Sequence, residues 1–205
     1  MTKEIRAFNF EVRAEQDEEH GHFLTGQPIV YNERTDLGWY DAIIDEGALA
    51  ETDLRDVRFL VNHNTDMIPL ARSRNNNANS TMQMQVIPGV GMSIRVDLDT
   101  ENNAEAKSLY SAVSRGDISG MSFMFTVDSD TWEELESEHP TRHIRRISKV
   151  FEVSAVTFPA YEATSITARG LSDALESARA SLESAKAERR EIERKKQLIR
   201  ILSEV

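Results

Sequence analysis

Met82-Gln83-Met84-Gln85-Val86-Ile87-Pro88-Gly89-Val90-Gly91-Met92-Ser93-Ile94-Arg95-Val96-Asp97-Leu98 reads as a β-hairpin. Met82, Met84 and Val86 alternate with polar residues, Pro88-Gly89 turns the chain, and Met92, Ile94, Val96 and Leu98 answer on the return. A period of two, held across a turn, means a sheet with one face against a core. Upstream, Phe8, Phe10 and Val12 alternate in the same way, and residues 21–31 form a second extended run. Val57, Phe59 and Val61 then lead into Asn62-His63-Asn64.

One helix follows the hairpin. Asn102 and Glu105 have capping-box spacing, Ala106, Leu109, Tyr110 and Val113 form a stripe, and Gly116 suits the position just past the helix end. A strand is expected from Ile118 to Val127. An acidic stretch to Pro140 is either a connection or an exposed hairpin, and a last strand pair covers Ile144 to Phe158. Many strands with one or two helices give an α+β or barrel-like domain.

The text changes after Gly170. From Leu171 onward there is no Gly, Pro or aromatic residue. Leu171, Leu175, Ala178, Leu182, Ala185, Ile192 and Ile199 follow a 4-3 spacing, broken by Arg189 and Lys196, with Ser172 placed to cap. The division is therefore a domain over residues 1–169 and a helical tail over 170–205. The tail's seam needs a partner surface, either the domain itself or another chain.

Composition narrows the function classes. The 205 residues are 40% hydrophobic and 29% charged, as in ordinary globular chains. With no cysteine, disulfide and thiolate chemistry are excluded, which suits a reducing compartment. The N-terminus lacks the apolar core of a signal peptide, and no run of about 18 apolar residues could span a membrane, so a cytoplasmic site of action is expected. A net charge of −11 opposes binding to a phosphate backbone. The basic cluster Arg142-His143-Ile144-Arg145-Arg146 reads as a strand with exposed charges.

Five histidines filter the candidates for chemistry: His20, His22, His63, His139 and His143. His20 and His22 fall in an acidic turn and are expected in solvent. His139 and His143 have the spacing of two ligands on one helix face, but Pro140 between them opposes that helix. A metal-dependent hydrolase built on His63, Asp66, His139 and His143 is the reading a chelator would test.

His63 ends an apolar strand where the chain turns polar, a position that suits a general base on a rigid element. It equally suits a structural histidine. In Gly120-Met121-Ser122-Phe123-Met124-Phe125, Met121, Phe123, Phe125 and Val127 share the core face, and Ser122 falls on the other. Gly120 leaves room there for close approach. Ser122 is thus a nucleophile candidate, or simply a hydroxyl on the wet side of a half-buried strand. Glu152 is the lone charge within Phe151-Glu152-Val153-Ser154-Ala155-Val156-Thr157-Phe158-Pro159-Ala160. It must be paired, with a histidine or with an arginine.

Taken in order, Val61-Asn62-His63-Asn64, Gly120-Met121-Ser122-Phe123-Met124-Phe125 and the Glu152–Ala160 block resemble the prohead proteases of tailed bacteriophages over roughly residues 5 to 169. Gly26-Gln27-Pro28-Ile29-Val30-Tyr31-Asn32 resembles that family's first glycine-led strand. Two positions depart from its pattern: Met124 stands where relatives often carry glycine, and Ala71-Arg72 where a Gly-Arg pair is usual.

The resemblance implies a compact herpesvirus-assemblin-like β-barrel with surrounding helices. It implies a serine endopeptidase with Ser122 as nucleophile, His63 as base and Glu152 as the acid orienting His63, and no cofactor. Assemblin-like enzymes use a second histidine, which makes His143 the rival to Glu152. The spacing does not place the oxyanion hole; backbone amides, with or without an arginine from residues 142–146, are the candidates. The implied partners are the major capsid protein and scaffold, with possible self-association through the C-terminal helix, no nucleic acid and no membrane. The implied place is the immature capsid in the host cytoplasm. The competing class is a non-enzymatic, protease-like assembly protein whose tail acts as scaffold.

Overall fold

The computed structural model describes residues 3–8, 12–17, 21–157 and 168–203. Phe10, His20 and the Phe158–Ala160 end of the last block lie outside them. In chain order the elements are β1 (Lys3–Phe8), β2 (Val12–Asp17), β3 (Gly21–Val30), β4 (Arg34–Asp36), β5 (Asp41–Ile44), β6 (Val57–Val61) and β7 (Ala71–Ser73). They continue with β8 (Met82–Ile87), β9 (Gly91–Asp97), α1 (Ala104–Ser114), β10 (Gly120–Glu133), β11 (Thr141–Val156) and α2 (Ala168–Ser203).

The hairpin forms as its alternation predicts. β8 and β9 pair antiparallel and complete a four-stranded sheet in the order β2-β3-β9-β8. Met82, Met92, Ile94 and Val96 are buried. Gly91 permits the close approach of β3: a Cβ there would stand 2.0 Å from the Ile29 carbonyl oxygen.

The second sheet has seven strands and is built on β11. β10 pairs antiparallel along one edge of β11, with β1 beyond it. The other edge of β11 is shared: β5 pairs with Thr141–Ile144 and β6 with Glu152–Ala155, both parallel. Glu133 and Thr141 close the β10–β11 ladder, so the acidic stretch is an exposed hairpin and the expected last strand pair is one strand of 16 residues.

The two sheets face each other across one core. Phe59, Met121, Phe123, Phe125 and Val153 meet Leu24, Ile29, Met82 and Ile94, and α1 contributes Ala106, Leu109 and Val113. The α+β class and the C-terminal helix are as expected. The closed barrel is not formed among the described residues: no strand pairing joins the two sheets.

α1 is capped one residue later than expected. Asn103 accepts from the backbone N–H groups of Glu105 and Ala106, while the Asn102 side chain turns back to Asp99. At the other end Gly116 has φ +78°. Its N–H bonds Val113 and that of Asp117 bonds Ala112, the pairing of a Schellman cap.

The first half of α2 uses its apolar seam on the domain. Leu175, Ala178, Leu182 and Ala185 pack on Trp39, Tyr40 and Trp132, and Trp132 donates its indole N–H to Ser181 at 3.0 Å. Ile192, Leu198, Ile199, Ile201 and Leu202 in the second half are exposed. No described helix is long and apolar enough to cross a membrane.

Candidate active site

Register creates the site. Ser122 stands opposite Ser154, and Met124 opposite Glu152, across the β10–β11 ladder. Partners across a ladder share a face, and residues two apart on one strand do as well. Ser122, Ser154 and Glu152 therefore lie together on the face opposite Met121, Phe123 and Val153. Phe151 is the extra residue of a β-bulge, since Met124 pairs with Glu152 while Phe125 pairs with Val150. Such bulges re-aim the side chains next to them.

His63 arrives from β6, which pairs with the same stretch of β11. Beyond Val61 the chain takes two left-handed residues, Asn62 at φ 52° and His63 at φ 56°. Asn64 then closes a turn onto the Val61 carbonyl. Left-handed non-glycine residues are held only where surroundings insist. Here the Asn62 side chain donates to the Thr157 hydroxyl at 3.0 Å and accepts from its backbone N–H at 2.9 Å. The Asn62 N–H also bonds the Ala155 carbonyl. The double turn swings the imidazole back over the face that carries Ser122.

His63 Nδ1 lies 2.5 Å from Glu152 Oε1, and Nε2 lies 2.6 Å from Ser122 Oγ. Facing a carboxylate, Nδ1 carries the proton and donates it; Nε2 then accepts from the Ser122 hydroxyl. The group is buried: the His63 and Glu152 side chains are 6% and 3% exposed, and Ser122 is fully buried. Ser122 is thus not a hydroxyl on a wet face. Chemically, the set can take a proton from a hydroxyl and stabilise the imidazolium that results. An apolar cleft of about 560 Å³ lies beside the turn that carries His63, lined by Asn62, Asn64, Met67, Leu109 and Ile118 among others.

The other candidates lie elsewhere. His143 sits at the far end of the ladder, opposite Thr131, with Nδ1 2.8 Å from Asp45. His139 bonds Asp41 at 3.1 Å, so the two histidines belong to different carboxylates. Asp66 is exposed in the turn after His63. His139, Asp36 and Asp41 have ligand atoms within 4.8 Å of one another, at a place unrelated to His63. His22 is not free in solvent: it is half-buried, bonded to Thr100 and edge-on to Tyr110.

The arginines of residues 142–146 are not at Ser122 either. Arg145 pairs with Asp45, and Arg146 with Asp128. Arg142, expected to be exposed, is buried, because its guanidinium reaches both oxygens of Glu4 on β1 and one of Asp130 on β10. Burial works against its charge, but these two carboxylates outweigh it and raise its pKa above the usual value.

Sequence reasoning missed the parts of Ser154 and Asn62. The signal was available: asparagine tolerates the left-handed turn, and Ser154 is two residues from Glu152, hence on its face.

No curated protein and no solved structure matches the chain. Among family models, that of the caudovirus prohead serine proteases matches residues 8–177, a span that includes His63, Ser122 and Glu152. With most of its length matched, the chain belongs to the caudovirus prohead serine protease family.

Proposed function

We propose that this chain is the capsid-maturation protease of a tailed phage, a serine endopeptidase acting on scaffold or on the scaffolding segment of the major capsid protein, and on itself. The observation that carries the reading is the chain of hydrogen bonds from Ser122 Oγ through His63 to Glu152. Ser122 attacks the scissile carbonyl as His63 Nε2 takes its proton. His63 then returns that proton to the leaving amine, and water repeats the sequence to free the acyl group. Glu152 holds the tautomer and faces the imidazolium. The cleft beside Asn62 and Asn64 offers room for an apolar side chain of the bound polypeptide.

In this reading residues 1–169 are the protease domain and residues 170–205 a helical tail. The exposed apolar residues of the second half of α2 support binding to scaffold or to another copy inside the immature capsid. Co-expression with the capsid protein, read by intact mass, tests the whole. Wild type should trim the capsid protein, and Ser122→Ala should leave it whole, a loss of at least about a thousandfold in rate. Equal trimming by both would remove Ser122 from its role. Shells that assemble untrimmed with both would favour a scaffold function.

A further inference from the structure

We propose that Ser154 is a positioning residue that locks His63 and Glu152 in register with Ser122; the proposal rests on the reading of Ser122 as nucleophile. Ser122 and Ser154 face each other on one rung of the β10–β11 ladder, and both are fully buried. Their hydroxyls have different neighbours. Ser122 meets the imidazole, whereas Ser154 Oγ accepts the backbone N–H of His63 at 3.1 Å and donates to Glu152 Oε2 at 2.6 Å.

The direction of these bonds is fixed whatever the tautomer. A backbone N–H can only donate and a carboxylate can only accept, so the one hydroxyl proton of Ser154 goes to Glu152. The result is a closed ring: His63 Nδ1 to Glu152 Oε1, Glu152 Oε2 to Ser154, and Ser154 to the His63 backbone. One atom thereby ties down the rotation of the carboxylate and the left-handed backbone of the histidine. It also explains why the second serine is not the nucleophile: its proton is held by a carboxylate and no imidazole nitrogen faces it. Without Ser154, Glu152 could turn about its last bond and His63 would lose the anchor of its strained φ. Small misplacements of this kind slow a reaction without abolishing it.

The test needs no knowledge of the substrate. The full chain is treated with a fluorophosphonate probe, which phosphonylates an activated serine, and labelling is followed by mass. Ser154→Ala should label Ser122 roughly tenfold to a hundredfold more slowly, through the limiting rate rather than the probe concentration at half-saturation. Ser154→Thr, which keeps the hydroxyl, should restore most of the rate. Ser148→Ala removes a hydroxyl bonded to Thr126 elsewhere on the same strand and should label as wild type does. The far-downfield proton resonance of the His63–Glu152 hydrogen bond should broaden in Ser154→Ala alone. Should Ser154→Ala fail to fold, Ser154→Cys, a weak donor of nearly the same size, carries the same expectation. Wild-type labelling rates in the Ala or Cys variant would overturn the proposal, as would a loss that Ser154→Thr does not restore or that Ser148→Ala reproduces. A wild type that does not label, or Ser122→Ala that labels equally well, would instead sink the nucleophile reading and this proposal with it.

Discussion

The β10–β11 ladder carries a histidine bonded to a carboxylate at each end. At one end His63 pairs with Glu152, and at the other His143 pairs with Asp45. The difference lies on the second ring nitrogen. His63 Nε2 faces a hydroxyl at 2.6 Å, whereas His143 Nε2 faces the Glu133 carboxylate at 3.5 Å. A histidine between two carboxylates can pair charges when protonated, but it has no hydroxyl to activate. The surroundings differ too. His63 sits on a left-handed turn held by Asn62 and Ser154, while His143 sits in regular strand beside the buried Arg142–Glu4–Asp130 cluster. A histidine–carboxylate pair is therefore not in itself a mark of catalysis; what sets His63 apart is the hydroxyl that its second nitrogen faces.

The sharpest way to break this contrast is to remove each histidine in turn. His63→Ala should slow probe labelling of Ser122 by at least about a thousandfold, and Glu152→Gln by about a hundredfold or more. His143→Ala should leave labelling at the wild-type rate. If the two histidine variants lost activity alike, the division between the ends would be wrong, and His143 would return as a member of the site.

The converse effect is expected in stability. Glu4→Gln leaves Arg142, whose side chain is 2% exposed, with half its pairing in a dry place. Asp130 still pairs with that charge, so the cost should fall below the roughly 3 to 5 kcal/mol of a buried charge left with no partner, to be read from urea unfolding. Because β1 pairs with β10 as far as Ser122, the variant should be assayed well below its midpoint, where labelling should match wild type. A fall in labelling without a fall in stability would mean that the far end of the ladder speaks to the site.

How much of this could be read beforehand follows from which forces are local. The hairpin of residues 82–98, the stripe of α1 and the Leu175–Ala185 seam are written in periodicity, and all three appear where expected. The three-residue strands β4 and β7, and the four-residue β5, carry no periodic signal, because each is set by the neighbour it pairs with. Arg142 was misread for a similar reason: its two carboxylates come from Glu4 and Asp130, remote or folded-back segments that pattern alone does not bring together. His63, Ser122 and Glu152 were legible one by one as residue types in suggestive places. Their meeting depends on a bulge at Phe151 and two positive φ angles, neither of which alternation records. Ser154 and Asn62 reach His63, Glu152 and Thr157 only through such geometry, so periodicity assigns them no part.

The smallest expected effect lies between the two ends of the ladder. Asp53 sits in the gap between β5 and β6, bridging to Lys149 on β11. Its carboxylate receives bonds from the Arg55 side chain and backbone and from Lys149 at 3.0 Å. Those contacts, Arg55 foremost, hold its pKa well below the usual carboxylate range. A carboxyl depressed on folding adds stability above its unfolded pKa of about 3.9, and loses it as pH falls from there toward the folded value. The pairs are near the surface, so Asp53→Asn should cost no more than about 1 kcal/mol at neutral pH. The gap to wild type in urea midpoint should close as pH drops below about 4. A gap that stayed constant down to acid would mean that Asp53 acts by the shape of its turn, and that the two ends of the ladder are joined by backbone bonds rather than by charge.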